Sequence, residues 1–475
     1  MSPLFRSFRL TALAATVLGA PAAFASGYNF GTQSVTAQST ANANGAEAND
    51  ASVIYSNPAG MSRLAGTQFS LIANVVLPEL EFKERGTTTN GLGLPVDSDN
   101  GGDPVKTTFV PHFYLTHRLS PRVVAGLGLY VPFGAKVEYD NGFAGRYYAT
   151  KTAVEMLNIN PSLSFKFDEH QSFGIGLVAQ YAKGALARQV SAAQAMYGIG
   201  SELGLPAGTV QALAVGALGV EDMRFHIQGD SWGLGYNLGY FYELNPHTRF
   251  GLAYRSEIKQ KLAGDAMLQN SAPLATYIAS GPLAPYADAI FANFPTTAHG
   301  HLNVTTPQSV SLNAYHELSA RLALMGDVTW TGHSSLQHLT IEAQPITTTY
   351  IKTDWDDTWK ASVGASYAMT AAWKLRGGYM YDQSPVTSST DVLPTLPDND
   401  RQWLSLGTTW QMSKRSSIDV AYSYVFIQNQ SIDRSYDYEG HPNSTAAGET
   451  ETQGHVAGSF KSHLQIIGLQ WNYAF

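Results

Sequence analysis

Few residues of this chain are spaced for chemistry. Gly229-Asp230-Ser231-Trp232-Gly233 matches the G-x-S-x-G pattern of a serine nucleophile. That pattern works on a strand, a sharp turn and a helix. Here Leu234 to Tyr242 continues as Gly-rich, aromatic strand, so Ser231 is expected to be structural. The 13 His include no H-E-x-x-H pair. Asp354-Trp355-Asp356-Asp357 groups carboxylates that a cation could use, but acids in a loop are ordinarily just solvated, so no metal is expected. Neither Walker nor dinucleotide fingerprints occur, and zero Cys excludes disulfides and thiolate ligands. The expectation is a protein that is not an enzyme and takes no cofactor.

The elements around these residues point to a membrane. Arg6 and Arg9, the apolar run Leu10 to Gly19, and Ala23-Phe24-Ala25 read as an export signal over residues 1–25. Its apolar run is too short to span a bilayer, and no later run of 18 apolar residues exists, so no helical span is expected. Charged residues make up 14%, against about 25% in a soluble domain. Aromatics make up 11%, and 44 residues are Gly. That mixture fits a β-barrel with a lipid-facing outer surface and aromatic girdles at its ends. The formal charge of −8 becomes about −10 when the two signal arginines leave, which argues against nucleic acid as a partner.

The C-terminus carries the strongest strand signal. Ile467, Leu469, Trp471, Tyr473 and Phe475 are apolar, while Gly468, Gln470, Asn472 and Ala474 between them are small or polar. Period-2 alternation ending on an aromatic suggests the closing strand of an outer-membrane barrel. Fourteen strand-like segments begin near Gln68, Val105, Arg122, Val154, Gln171, Met223, Thr248, Gly300, Arg321, Asp357, Ala372, Gln402, Ser416 and Gly458. Brief turns alternate with long connections, as in a barrel with short periplasmic turns and long outer loops. An even count closes an antiparallel barrel with no free edge. The fold is therefore read as all-β: a transmembrane antiparallel barrel over 65–475.

Residues 26–64 are small, polar and without alternation, ending in the tight corner Asn57-Pro58-Ala59-Gly60. A hatch packed in the lumen or a disordered leader would both suit this composition. Two long connections, about 189–221 and 264–299, are unusual for loops. The first is rich in helix-favouring Ala, Leu and Gln. The second holds Leu274, Tyr277, Ile278 and Phe291. These side chains either pack the loops on each other or form an apolar groove for a hydrophobic ligand. In the third strand, Val131-Pro132-Phe133-Gly134 interrupts the alternation. Pro cannot donate to a ladder, so Pro132 marks a local break or a bulge.

The chain resembles the FadL-type outer-membrane transporters of long-chain fatty acids and other hydrophobic compounds. The likeness rests on Asn57-Pro58-Ala59-Gly60, Asn158-Ile159-Asn160-Pro161-Ser162, Phe173-Gly174-Ile175-Gly176-Leu177 and Gly229-Asp230-Ser231-Trp232-Gly233 with Tyr254-Arg255-Ser256 downstream. Leu375-Arg376-Gly377-Gly378-Tyr379, Asp382-Gln383-Ser384-Pro385-Val386 and Pro397-Asp398-Asn399-Asp400-Arg401 follow in order. The resemblance implies a 14-stranded barrel plugged by an N-terminal hatch in the outer membrane of a Gram-negative bacterium, and since a closed barrel requires no partner subunit a monomer is expected. It implies passive transport of a long-chain fatty acid, captured by the loops, passed to a lumenal pocket and released sideways into the membrane lipid. It places the lateral exit at Pro132, Phe133 and Gly134, and hatch gating at Asn57, Pro58 and Ala59. It assigns Arg188 to the carboxylate and puts a second polar position at His338, where no Lys is present. The missing lysine leaves open a neutral aromatic or aliphatic hydrocarbon as ligand. A lipase or a purely structural barrel are the remaining readings.

Overall fold

The computed structural model describes residues 29–293, 296–435 and 453–475, so the export signal lies outside the described residues. Fourteen strands form the wall: β1 Thr67–Glu84, β2 Thr108–Arg118, β3 Val123–Tyr130 with Gly134–Glu138, β4 Lys151–Lys166, β5 Gln171–Val190, β6 Met223–Asn245, and β7 Thr248–Arg255 with Ile258–Gln269. They continue as β8 Thr297–Thr306 with Ser309–Glu317, β9 Leu322–Thr331, β10 Thr358–Ala368, β11 Trp373–Asp382, β12 Arg401–Ser413, β13 Ser416–Ile427 with Gln430–Ser435, and β14 His455–Ala474. All fourteen begin within three residues of the starts read from the sequence. Consecutive strands pair antiparallel, and β14 closes on β1 from Gln68↔Ala474 to Glu84↔Gly458. Closure satisfies the edge groups that lipid could not.

The alternation decides which face meets lipid. Along β14, Ile467, Leu469 and Trp471 point outward and are exposed, while Gln470 is buried inside. Outward Leu163, Ile175, Leu177, Leu252, Leu312, Val363, Leu406 and Leu469 form the apolar band. Phe69, Phe113, Trp471 and Tyr473 cluster at the short-turn end as part of a girdle.

Residues 29–64 lie inside as a hatch of short turns: α1 Val35–Gln38, α2 Val53–Ser56, and two 3₁₀ turns, Ala43–Ala46 and Pro58–Arg63. Ser34 caps α1 by accepting from Ala37 N. Asn57 caps the last turn by accepting from Ala59 N at 3.0 Å. Of the two readings left open by composition, the packed hatch is the one found. Wall glycines make room for it: a Cβ at Gly174 or Gly239 would collide with Ala59 or Asn57.

At the long-loop end, α3 Ala192–Glu202 and α4 Ala207–Gly216 lie between β5 and β6. α5 Ala272–Ser280 and α6 Ala287–Asn293 lie between β7 and β8. The second loop is shorter than 264–299, because strand pairing continues through Met267 opposite Thr297.

Candidate transport path and wall openings

The third strand is broken where its proline falls. β2 pairs with β3 only as far as Phe113↔Leu129, and the upper segment Gly134–Glu138 pairs with β4 alone. Residues 131–133 therefore leave the ladder, and β2 from Thr108 to His112 has no partner on that side. The start of the hatch occupies this place. Phe30 N donates to Pro132 O at 3.0 Å, and Asn29 bridges Phe133. The Phe30 side chain is buried in an apolar cluster with Val76, Val110, Val131, Trp403 and Leu464. It also packs on the His112 ring at 5.5 Å. His112 Nδ1 accepts from Val131 N at 3.2 Å, so the kink is tied to β2 by a side chain in place of a ladder.

A cavity of about 110 Å³ runs beside the hatch and is lined by Pro132 and Phe133 of the kink and by Leu238, Tyr254, Arg255 and Pro307. A second cavity, about 60 Å³, lies higher in the lumen. Its wall is nearly all apolar, with Val154, Leu186, Leu302, Val304, Leu339 and Ile351 among its residues. Removing a fatty chain from water gains about 0.8 kcal/mol per buried CH₂, roughly 13 kcal/mol for sixteen methylenes. Such surfaces preserve that gain and a wide aqueous pore would not.

Arg188 faces inward and is buried, with its guanidinium over the Phe225 ring at 5.7 Å. It lies two residues beyond Leu186 on the same inward face of β5, roughly 7 Å along the strand. His338 sits elsewhere. It begins the hairpin formed by His338–Ala343 and Thr347–Lys352, exposed and stacked on Tyr350 at 4.5 Å.

The loop residues mostly pack on one another. Leu274 and Ile278 are buried, and Tyr277 donates its hydroxyl to Leu213 O at 3.1 Å. Phe291 remains exposed, and with Met196, Ile199, Leu274 and Ile290 it borders a small crevice. Asn57, Pro58 and Ala59 lie apart from the kink. Asn57 Nδ2 donates to Tyr240 O at 3.0 Å, and Ala59 O accepts from Ser164 Oγ at 2.9 Å. They brace the hatch against β4, β6 and β7. Ser231 lies within continuous strand β6, away from any turn or helix, which removes the nucleophile geometry. Asp354 pairs with Lys352 at 3.1 Å, and Asp357 accepts from Ser334 N at 3.0 Å.

Three clamps that hold the hatch are not legible in the sequence. Arg255 Nη2 donates to Tyr55 O, and Arg249 Nε donates to Ala46 O. Glu47, fully buried, accepts from Arg376 Nη2 at 3.2 Å and faces Lys374 Nζ at 3.5 Å. Burial opposes its charge, but the Arg376 and Lys374 cations outweigh burial and hold the carboxyl below its ordinary range. Arg376 also reaches Asp419 at 3.5 Å. An inward arginine in a wall strand is the only sequence signal such a clamp leaves.

A closed fourteen-stranded barrel, plugged from within, broken in its wall beside one cavity and holding a second, apolar cavity above it, defines an outer-membrane transport protein rather than an enzyme. Residues 16–475 match the family described as outer membrane protein transport protein (OMPP1/FadL/TodX), and the chain belongs to that family. A protein of Neisseria meningitidis serogroup B named as an outer membrane protein is 34% identical, over 98% of this chain and 97% of its own. The long-chain fatty acid transport protein of Escherichia coli K12 is 28% identical over 83% and 86%. Among solved structures, a Pseudomonas aeruginosa FadL homologue superposes with a TM-score of 0.78 at 24% identity, covering 94% of this chain and all of its own. The Pseudomonas putida toluene transporter TodX gives 0.60 at 18%, covering 90% and 94%.

Proposed function

We propose that this protein carries long-chain fatty acids across the outer membrane and releases them sideways through the kink in β3. One observation carries the choice of ligand: the Arg188 cation lies on the same inward face as Leu186, which lines the apolar cavity. A chain seated in that cavity would place its carboxylate within reach of the guanidinium. The loop crevice bordered by Leu274, Ile278 and Phe291 is the capture surface in this reading. The name of the Escherichia coli relative agrees with it. Release needs Asn29 and Phe30 to leave the kink, so the start of the hatch is the moving part and Asn57-Pro58-Ala59 its fixed base.

A second reading, a neutral hydrocarbon, is favoured by one feature. Arg434, near the cavity, is held by backbone, donating to Val392 O and Lys352 O, and His338 stands outside on its hairpin. The TodX fold likeness is compatible with it.

The test is uptake of labelled oleate and labelled toluene by cells lacking their own transporters, with native protein and with Arg188→Ala. Oleate uptake that falls in the variant by about 10-fold or more, with toluene little changed, supports the carboxylate role. Equal losses for both probes reject it. Uptake of toluene alone makes the neutral hydrocarbon the ligand.

A further inference from the structure

The wall has a second break, between β6 and β7. From Arg224↔Gln269 to Asp230↔Ala263 the two strands pair in one register, and from Asn237↔Arg255 onward in another. Between these blocks, Ser231–Tyr236 of β6 has no ladder to β7. Six residues of β6 face seven of β7, 256 to 262, so the register cannot run through. On its other side β6 pairs with β5 without interruption. The break is thus a seam in the wall and not the end of a strand.

Several features keep this seam from zipping. β8 is interrupted at Pro307-Gln308 opposite the interruption of β7 at Ser256-Glu257, and Pro307 has no N–H to give. At the lower end one residue does a ladder's work. Ser256 N donates to Tyr236 O, and Ser256 Oγ accepts from Tyr236 N, both at 2.9 Å. Higher up, only side chains close the gap. A Cβ at Gly233 would lie 2.5 Å from Ile258 Cγ2, and one at Gly235 would lie 2.6 Å from Ile258 Cγ1. Ile258 and Gln260 therefore lie across glycines, where any larger residue would block them.

The two breaks are linked through the ladder. Tyr130, the last residue before the kink, is opposite Asn158; Asn158 is opposite Gln180, and Gln180 is opposite Gly233. Both breaks therefore fall on one register line across β3 to β6. Outside the seam, Trp232 is 59% and Leu234 83% exposed, within the lipid-facing apolar band. Inside, the cavity beside the hatch is lined by Pro132 and Phe133 at the kink and by Leu238, Arg255 and Pro307, which border the lower edge of the seam. A polar backbone stretch in lipid without ladder partners is costly. A wall that keeps one beside a cavity has a use for it.

We propose that the β6–β7 seam is a second lateral opening, through which an apolar ligand passes between the lumen and the outer leaflet when Ile258 and Gln260 swing aside. This rests on the transport reading above, and it means the kink is not the sole exit.

The chain has no Cys, so introduced thiols report cleanly. The first readout needs no ligand. Ile258→Cys, buried and inward, is exposed in liposomes to a maleimide carried on a phospholipid acyl chain. Ser405→Cys, buried on β12 where both ladders are complete, is the control. Labelling at 258 above the control supports an opening to lipid; labelling equal to the control overturns it. The second readout is oleate and toluene uptake in a variant whose β3 kink, 132–136, is replaced by an alternating strand sequence. Residual uptake that disappears when Gly235→Cys and Ile258→Cys are oxidised together, and returns on reduction, supports the seam as a route. Residual uptake indifferent to that cross-link overturns it. If the cross-linked protein does not fold, Ile258→Ala in the straightened background serves instead. It should raise uptake, and no rise counts against the seam. Failure of the native protein to move either probe would sink the transport reading alone, since the lipid-maleimide result stands without it.

Discussion

Arg255 Nη1 donates to the hydroxyl of Tyr130 at 2.8 Å, and this bond joins the two interruptions of the wall. Tyr130 is the last residue of β3 before the kink, and Arg255 is the last residue of β7 before Ser256-Glu257. The same guanidinium donates to Tyr55 O of the hatch at 2.8 Å and lies 4.5 Å from the Tyr55 ring. The Tyr130 ring meets Tyr55 edge-on at 5.2 Å, and its hydroxyl donates to Asn160 Oδ1 at 3.2 Å. One cation thus ties the lower edges of both breaks to the plug.

Removing that cation should loosen all three parts together. Arg255→Ala leaves a carbonyl and a phenol short of a charged donor, each such bond contributing about 1.5–3 kcal/mol. Tyr130→Phe removes only the hydroxyl. A double-mutant cycle by urea unfolding in detergent should return a coupling of about 1–3 kcal/mol between the two positions. Hydrogen exchange at residues 55 and 56 should rise in Arg255→Ala. Additive single effects with unchanged exchange would show that the contact does not couple wall and hatch.

Phe30 is expected to act as the stopper of the kink. It fills the cluster where β2 lacks a partner, and its truncation to Ala removes about 3–5 kcal/mol of packing from that closure. The hatch turns beyond Ser34 keep their own caps and clamps, so the barrel should still fold and shift on unheated gels. The initial rate of oleate uptake should increase. A rate equal to the native one would place the closure elsewhere.

The wall was readable from the sequence because lipid imposes a rule on every strand. Outward residues must be apolar, so Ile467, Leu469 and Trp471 announce their face, and the polar turns bracket each hairpin. Pro132 was readable for a similar reason, since a prolyl nitrogen cannot serve a ladder wherever it falls. Inward residues obey no such rule. Gln260, Arg255 and Glu47 gain their roles from partners far away in the chain: Gln260 Nε2 reaches Gln180 Oε1 at 3.1 Å, which no local spacing encodes. His338 shows the converse. The resemblance offers it as a polar position for the ligand, but it stands exposed at the start of a hairpin. Pro307 and the alternating Gly233 and Gly235 carried a signal for the seam. A proline and two glycines read as a weak strand until the register shows that they face a missing ladder.

The hatch should also have an acid limit. Glu47 is charged in the folded protein because Arg376 and Lys374 favour the carboxylate more than burial disfavours it, so its pKa lies below that of the unfolded chain. A group depressed on folding stabilises the fold at pH above its unfolded value, and that contribution is lost as pH falls through the folded value. The Glu47 contribution is therefore complete at neutral pH and is lost only in acid, when the protonated carboxyl no longer balances Arg376 and Lys374. Glu47→Gln imitates that state at every pH. Breaking one side of a buried pair costs about 3–5 kcal/mol, so the variant should unfold at lower urea at pH 7 and show hatch-dependent ion conductance in planar bilayers. The native protein should approach the variant as pH drops below the ordinary carboxylate range, and the two curves should meet there. Parallel curves that never converge would mean that Glu47 is not the titrating anchor of the plug.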